Sequence, residues 1–544
     1  MTTQTPPSSS DYLWWRDGVI YQIYPRSFMD SNGDGVGDLP GIISRLDYVA
    51  SLGVDAIWLS PINKSPMHDF GYDISDYEDI DPLFGTRANF ETLIAEAHKR
   101  GLKIMMDLVI NHTSSEHAWF QESRASRNNA KADWYIWRDA PPAKKFPNNW
   151  ASVFGGPAWE WDETRAQFYY HLFLKEQPDL NWRTPDARAA VMNMIRFWLK
   201  QGVDGFRLDV VNAYFKDAQF RDNPEALSLS PRAVLPFFRQ KHLYDYDQPE
   251  LHDVYREFRA LLNAYPERAS VGEILLNREP KSIVPYLGRD QLHMAFNFGF
   301  THQPWLPRAF QQAALAWDTT VPSDAWPCYV LSNHDEPRHV TRYGGNGPRK
   351  AAEARAKVAA AMLLTLRGTP FLYYGEEIAM PSPHIPRHLV VDPPSKRFWP
   401  FFNRDAARTP MQWDDSPNAG FTSGKPWLPA GDSRDRLNVA AQAEDPHSVL
   451  NFYRDLIRLR RSSPALRRGT YKPLLARPVA AMTYLRQTDS QTMLVALNFF
   501  GHDVDTPMPP GKWQLRLSSR HTAHVNNGTL TLAPFEASIF ELTG

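Results

Sequence analysis

The stretch DGFRLDVVN, Asp204–Asn212, decides how this chain is read. It has the apolar, β-branched character of a strand and ends on Arg207 and Asp209. Those two residues are two apart, so in a strand both side chains point to one face. Working outward, seven further apolar runs read as strands: Val19–Tyr24, Ala56–Pro61, Lys103–Val109, Ser270–Ile274, Leu292–Phe298, Cys328–His334 and Pro370–Tyr374, with Gly205–Val211 fourth in order. Between most of them lie segments with helical period, such as NFETLIAEAHKRG (Asn89–Gly101) and ARAAVMNMIRFWLKQG (Ala187–Gly202). Each of these two ends in Gly, a common helix stop. Alternating strand and helix imply a parallel sheet, and eight such units imply an α/β fold closed as a (β/α)8, or TIM, barrel.

Three intervals are too long for simple connections. They are Asn111–Asn181 after the third strand, Asn212–Pro249 after the fourth, and Ile378–Arg436 after the eighth. The first reads as an inserted domain. After about Ala465 the pattern changes to short alternating runs (MTYLRQT, TMLVALNFF, WQLRLSS, LTLAPFEASIFEL), the mark of a small antiparallel β-domain. The expected organisation is a disordered leader over 1–10, barrel over 1–111 and 182–465, inserted domain over 112–181, and C-terminal β-domain over 466–544. All three excursions leave from the C-terminal ends of strands, which in such barrels is the catalytic face.

Composition narrows the function. The formal net charge of −1 offers no field for nucleic acid or anionic membranes. Aromatic residues make up 13% of the chain, with 18 Trp, which suits sugar stacking and core filling alike. The single cysteine, Cys328, fits a reducing compartment. The first residues, MTTQTPPSSSDYLWW, lack the features of a secretory signal, and no apolar run reaches 18 residues. A cytoplasmic protein, monomeric or homodimeric, is expected.

Three carboxylates stand at strand ends on the expected catalytic face: Asp209 after the fourth, Glu273 after the fifth, and Asp335, beside His334, after the seventh. The third strand ends on Asp107, Asn111 and His112. Glycoside hydrolysis needs two carboxyl groups flanking the scissile bond, one ionised and one protonated. Arg207 beside Asp209 is expected to keep that acid ionised, and the apolar Ile274 and Leu275 to raise the pKa of Glu273.

One further stretch, MDSNGDGVGDL (Met29–Leu39), follows the first strand. Asp30, Asn32 and Asp34 alternate, Gly35 turns the chain, and the Val36 carbonyl and Asp38 follow, as in a calcium loop. The bidentate Glu of an EF-hand would fall at Gly41, and a strand rather than a helix precedes the loop. A metal-free Asn-Gly-Asp-Gly turn is the alternative.

With these residues in view, the chain resembles the α-amylase family of glycoside hydrolases, glycoside hydrolase family 13, on its α-glucosidase and oligo-1,6-glucosidase branch. The matching segments are DLVINH, GFRLDVVN, GEIL, SNHD and QPDLN (Gln177–Asn181), with the opener VIYQIYPRSFMDSNGDGVGDL and RDAARTPMQWDD. The resemblance runs from about Trp14 into the C-terminal β-domain. It implies Asp209 as nucleophile, Glu273 as acid and then base, and Asp335 as stabiliser of the distorted ring. It implies His112 and His334 as hydrogen-bond partners of the glucosyl unit, with Arg207 in the same site. It gives Asp69 to the non-reducing-end hydroxyls, Tyr72 as a stacking ring, and Phe154 and Phe173 as an apolar wall. Arg404 would pair with Asp69 to close the pocket floor, with Arg408 as the rival. It implies a structural divalent cation, Ca2+ or Mg2+, on Asp30, Asn32, Asp34, Val36 and Asp38, and no catalytic cofactor.

The activity implied is an exo-acting, retaining α-glucosidase on short α-glucosides, with glucosyl transfer as a second outcome. Linkage evidence divides. Val210 after the nucleophile, and QPDLN, go with α-1,6 preference. The insert and LYDYDQPEL are similar to α-1,4-acting and glucosyl-transferring enzymes. Oligo-1,6-glucosidase is therefore the alternative. A sucrose-isomerase type lacks its expected aromatic-and-Arg clamp, since LHMAFNFGF stands there. A non-catalytic, transporter-associated homologue would have lost acids that this chain keeps.

Overall fold

Eight parallel strands form the central sheet of the structure, a computed structural model that describes residues 12–142, 144–227, 235–276, 278–344, 349–400, 403–520 and 524–543. They are β1 (Ile20–Ile23), β2 (Ala56–Leu59), β3 (Lys103–Leu108), β4 (Gly205–Leu208), β5 (Ala269–Gly272), β6 (Met294–Ala295), β7 (Cys328–Val330) and β8 (Thr369–Tyr373). Neighbours pair in sequence order from β1 to β6, and β7 pairs with β8, which returns to β1. A parallel bridge from Phe296 to Cys328 joins the β6 side to β7 and closes the ring. The leader expected over residues 1–10 lies outside the described residues.

Apart from Lys103, every residue of these strands is buried, which is why they read as continuous apolar runs rather than alternating ones. Ile20, Trp58, Met105, Val271, Met294 and Phe371 pack together with Cys328 in one cluster. Helices Arg87–Lys99 and Pro185–Lys200 stop as their glycines require: Gly101 and Gly202 take φ of 74° and 98° just past the ends.

The sequence overestimates three strands by three residues or more: Gly205–Val211 shrinks to β4, Leu292–Phe298 to β6, and Cys328–His334 to β7. Leu331 stays buried beyond the end of β7, so apolar composition does not mark where pairing stops. Asp209 and Glu273 follow directly on β4 and β5, whereas Asp335 lies in the loop past β7.

Within the long excursion after β3, strands Trp137–Arg138, Gln167–Tyr170 and Trp159–Asp162 form an antiparallel sheet. Its root is tied down by bridges from His112 to Asp179 and from Tyr135 to Leu180. There the buried Lys216 ammonium sits 2.6 Å from Asp179 and 3.2 Å from the Asn111 side-chain oxygen. The insert is thus fastened to the excursion after β4. Beyond residue 469 lie a five-stranded sheet, from Thr470–Pro473 to Ala537–Leu542, and a three-stranded one, both antiparallel.

Candidate active site

β4 delivers Arg207 to the centre of the catalytic face, where it is 1% exposed. One Nη donates to Asp107 at 2.8 Å and to Asp209 at 2.7 Å, and the other donates to Glu273. Three carboxylates from β3, β4 and β5 therefore share one guanidinium. Charge-assisted bonds of this kind are short and directional, so they fix where the acids point. Backbone bonds set the spacing further: the Glu273 N–H donates to the Leu208 carbonyl, and the Val211 N–H to the Glu273 carbonyl, both at 2.9 Å.

The electrostatic expectation for Asp209 is overturned. Burial, opposed by Arg207 and reinforced by Glu273 and Asp107, raises its pKa well above the ordinary carboxylate range. One cation does not balance three anions in a dry site. Burial and the crowding of the carboxylates thus favour the protonated form of Asp209. Asp107 is likewise pushed up, by burial, to about 6.

Asp335 behaves in the opposite way. Its place in the pocket works against its charge, but the His334 ring and the Arg404 and Arg408 guanidinium groups outweigh that, and it is held well below the usual range. Arg408 donates to it at 2.8 Å, and Arg404 approaches at 3.5 Å. Of the two arginines weighed for Asp69, Arg404 makes the pair, at 2.7 Å. Arg404 is itself forked by Asp392, through Nη2 at 2.6 Å and Nε at 3.1 Å.

A cavity of about 460 Å³ opens over these groups. Asp69, Tyr72, His112, Phe154, Phe173, Asp209, Val210, Glu273, Asp335 and Arg404 all line it. Phe154 and Phe173 stand side by side, 5.6 Å between centroids. Two residues expected to touch substrate do not line the cavity. Arg207 is buried beneath the acids. His334 is 1% exposed: its Nδ1 accepts from Gln22 at 2.9 Å, leaving the proton on Nε2, 2.7 Å from the Tyr72 hydroxyl. Burial depresses its pKa to about 3, so it is a neutral support for Tyr72 and Asp335. His112, held by the Tyr72 carbonyl at 2.9 Å and lowered by burial to about 4, is neutral too.

Val210 is backbone-strained. It is buried and takes φ 39°, ψ 51°, a left-handed conformation that is an outlier for a β-branched residue.

The Met29–Leu39 loop is wrapped on its own donors. Asp30 accepts from the N–H groups of Asn32, Gly33 and Gly35 and from the Thr422 hydroxyl. Asn32 and Asp34 accept from Asp34 and Val36 N–H, both at 2.8 Å, and Asp38 caps the next helix. Three carboxylates, an amide and a carbonyl are donors of the type a hard divalent cation takes, but here the side-chain oxygens are turned onto backbone N–H groups. Among the described residues no group of three or more His, Cys, Asp or Glu is gathered closely enough to hold a metal ion.

Comparison with known proteins agrees with this geometry. The model of the α-amylase catalytic domain matches residues 22–469. The chain belongs to the α-amylase family. It is 44% identical over 509 residues to a probable α-glucosidase of Rhizobium meliloti, covering 92% of each chain. It is 41% identical to an oligo-1,6-glucosidase of Parageobacillus thermoglucosidasius, covering 90% of each. Among solved structures, the α-glucosyl transfer enzyme XgtA superposes with a TM-score of 0.92 at 43% identity, over 99% of this chain and all of that one.

Within this α-amylase-family site, sequence reading missed Asp392 and gave no site role to Asp107 and Gln177. Asp392 caps the short helix Pro393–Phe398, a role its Asp-Pro-Pro-Ser context signals, but nothing local shows that it is fully buried and holds Arg404. Gln177 stands in the noted QPDLN run, and its Nε2 bonds Asp69 and the Tyr72 carbonyl, each at 3.2 Å. The fork on Arg404 yields a test. Asp392→Asn keeps the shape but removes the charge, and a hydrogen bond to a charged group is typically worth about 1.5–3 kcal/mol. KM for maltose should rise at least about tenfold, with kcat within threefold. Steady-state kinetics giving an unchanged KM would mean that Asp69 alone orients Arg404.

Proposed function

We propose that this chain is an exo-acting, retaining α-glucosidase that releases α-glucose from the non-reducing end of short α-glucosides. Glucosyl transfer to an acceptor hydroxyl is its second outcome. The observation that carries the reading is the pair Asp209–Glu273 on Arg207, in one cavity with Asp335 and the Asp69–Arg404 pair. We read that ion pair as closing the pocket, so that it accepts a chain end rather than a chain middle. The named activities of the relatives and of the structural neighbour are of the same kind.

A double displacement needs one proton on the Asp209–Glu273 pair. As substrate enters, that proton passes along the hydrogen bond to Glu273, leaving Asp209 anionic on Arg207. Asp209 attacks the anomeric carbon while Glu273 protonates the departing oxygen, giving a β-glucosyl ester. Glu273, now a base, takes the proton of water or an acceptor hydroxyl, which attacks the same carbon and frees Asp209. Asp335, held ionised by its arginines, bonds the ring hydroxyls and stabilises the oxocarbenium-like transition state. Retention follows from the two inversions. Asp209→Asn should lower kcat more than about 10⁴-fold with an unchanged circular dichroism spectrum. Proton NMR of the first-formed glucose should show the α-anomer. Activity within tenfold of wild type, or a β-anomer appearing first, would refute the reading.

The second reading, oligo-1,6-glucosidase, rests on Val210, which lines the cavity beside the nucleophile. An α-1,6 link adds an exocyclic carbon and displaces the leaving sugar, against which a branched apolar side chain can pack. Val210→Thr keeps both the β-branch and its strained backbone, so it isolates the hydroxyl. One such contact is worth about 1–3 kcal/mol, roughly 10- to 200-fold. The ratio of maltose to isomaltose kcat/KM should shift towards maltose. An unchanged ratio, with both activities kept, would move specificity to the insert or to the excursion after β4.

The Met29–Leu39 loop is proposed to hold a structural Ca2+ or Mg2+ through Asp30, Asn32, Asp34, the Val36 carbonyl and Asp38, and to take no part in the chemistry. When bound, the ion would neutralise loop charge and stabilise the folded state. Asp34→Ala should lower Tm and abolish its response to chelator and to added cation. Melting curves insensitive to chelator in both proteins would dismiss the site. No helix of the described residues is long and apolar enough to cross a membrane. A cytoplasmic location is the reading that the single, buried cysteine supports.

A further inference from the structure

Asp73 is a carboxylate that the chemistry above does not use. It is fully buried and stays outside the cavity lining. Its Oδ1 accepts from the Asp69 N–H at 2.9 Å and from the Ser65 hydroxyl at 3.0 Å. Its Oδ2 accepts from the His68 N–H at 2.8 Å. Ser65 Oγ in turn accepts from the Met67 N–H at 2.9 Å. One side chain, directly and through one hydroxyl, thus collects the backbone N–H groups of three successive residues, 67 to 69.

The loop so collected is strained. Met67 and Phe70, neither a glycine, lie at φ 66° and 50°, and Gly71 at 103°. A Cβ at Gly71 would stand 3.2 Å from both the Cβ and the carbonyl oxygen of Pro61, so the loop also passes tightly against β2's exit. Such conformations persist where surrounding contacts over-determine them. What the strained loop presents is Asp69, with one oxygen on Arg404 at 2.7 Å and the other 3.2 Å from Gln177 Nε2. The loop closes on itself through the Tyr72 N–H to the Asp69 carbonyl at 3.1 Å. Burial pushes the Asp73 carboxyl up to about 6, and the nearby Asp69 charge adds to this, so a buried anion is retained here against its electrostatic cost.

We propose that Asp73 is a positioning residue that aims the Asp69 carboxylate at the non-reducing-end hydroxyls of the bound glucosyl unit, and so sets the recognition of that end. The inference rests on the reading of Asp69 as the pocket-floor carboxylate. A carboxylate is required because donors arrive on both oxygens. An amide accepts on one oxygen only, and its NH2 would confront a backbone N–H.

The test compares 4-nitrophenyl α-glucoside with its analogues lacking the 4- or the 6-hydroxyl. In wild type, loss of the hydroxyl that Asp69 contacts should lower kcat/KM about 30-fold or more. Asp69→Asn should reduce that discrimination to about threefold. Asp73→Asn, which replaces no pocket-lining residue, should do the same. A loss confined to folding would not flatten this ratio. Full discrimination in Asp73→Asn, beside a flattened ratio in Asp69→Asn, overturns the inference and leaves the role of Asp69 standing. Full discrimination in Asp69→Asn overturns both. Should Asp73→Asn not fold, Ser65→Ala removes one of the three donors on Asp73. The discrimination should then fall at least threefold, and an unchanged ratio overturns the inference.

Discussion

One guanidinium organises this molecule's chemistry. Arg207 is buried under three carboxylates from three adjacent strands, and its charge is what permits them to approach one another. Removing Arg207 would leave three carboxylates without their cation in a dry site, which is costly. The arrangement also biases protonation. With three acids on one cation, burial and the neighbouring carboxylates raise the pKa of Asp209. Across the cavity the balance is reversed: Asp335 faces Arg404 and Arg408 and stays ionised. Asp209 is thus biased towards its protonated form and Asp335 towards its ionised one.

The barrel makes this possible by geometry alone. β3, β4 and β5 are neighbours in register, so Asp107 pairs with Arg207 across the ladder, and the two following acids emerge side by side. The excursions then supply what strands cannot. The insert contributes Phe154 and Phe173, the loop after β2 contributes Asp69 and Tyr72, and the excursion after β8 contributes Asp392, Arg404 and Arg408. Left-handed backbone occurs at the site, at Val210, Met67 and Phe70, and also far from it, for example at Ala166, Ala379 and Phe535.

Much of this was legible in the sequence, for physical reasons. A parallel sheet buried on both faces leaves continuous apolar runs, so the strands and their order could be read. Acids at strand ends are unusual enough to mark the catalytic face. Strand limits are less legible, because Leu331 remains buried after pairing stops. Asp392 reads locally only as a helix cap, and the importance of Asp392 and Asp73 to the site comes from partners brought together only by folding. The protonation of Asp209 was misread because adjacency to Arg207 is visible in sequence, whereas burial and the competing charges of Asp107 and Glu273 are not. Arg207 and His334 were misplaced for a similar reason: strand position gives the direction of a side chain, not how deep the pocket reaches.

The central claim is that Asp209, freed of its proton, is the group that bonds to the sugar while Glu273 delivers that proton. Trapping tests it most directly. Incubation with 5-fluoro-α-glucosyl fluoride should slow release of the second half-reaction enough to accumulate a glycosyl-enzyme. Mass spectrometry of the digested adduct should place the label on Asp209. A label on Glu273 or Asp335, or inactivation without a covalent adduct, would contradict the account.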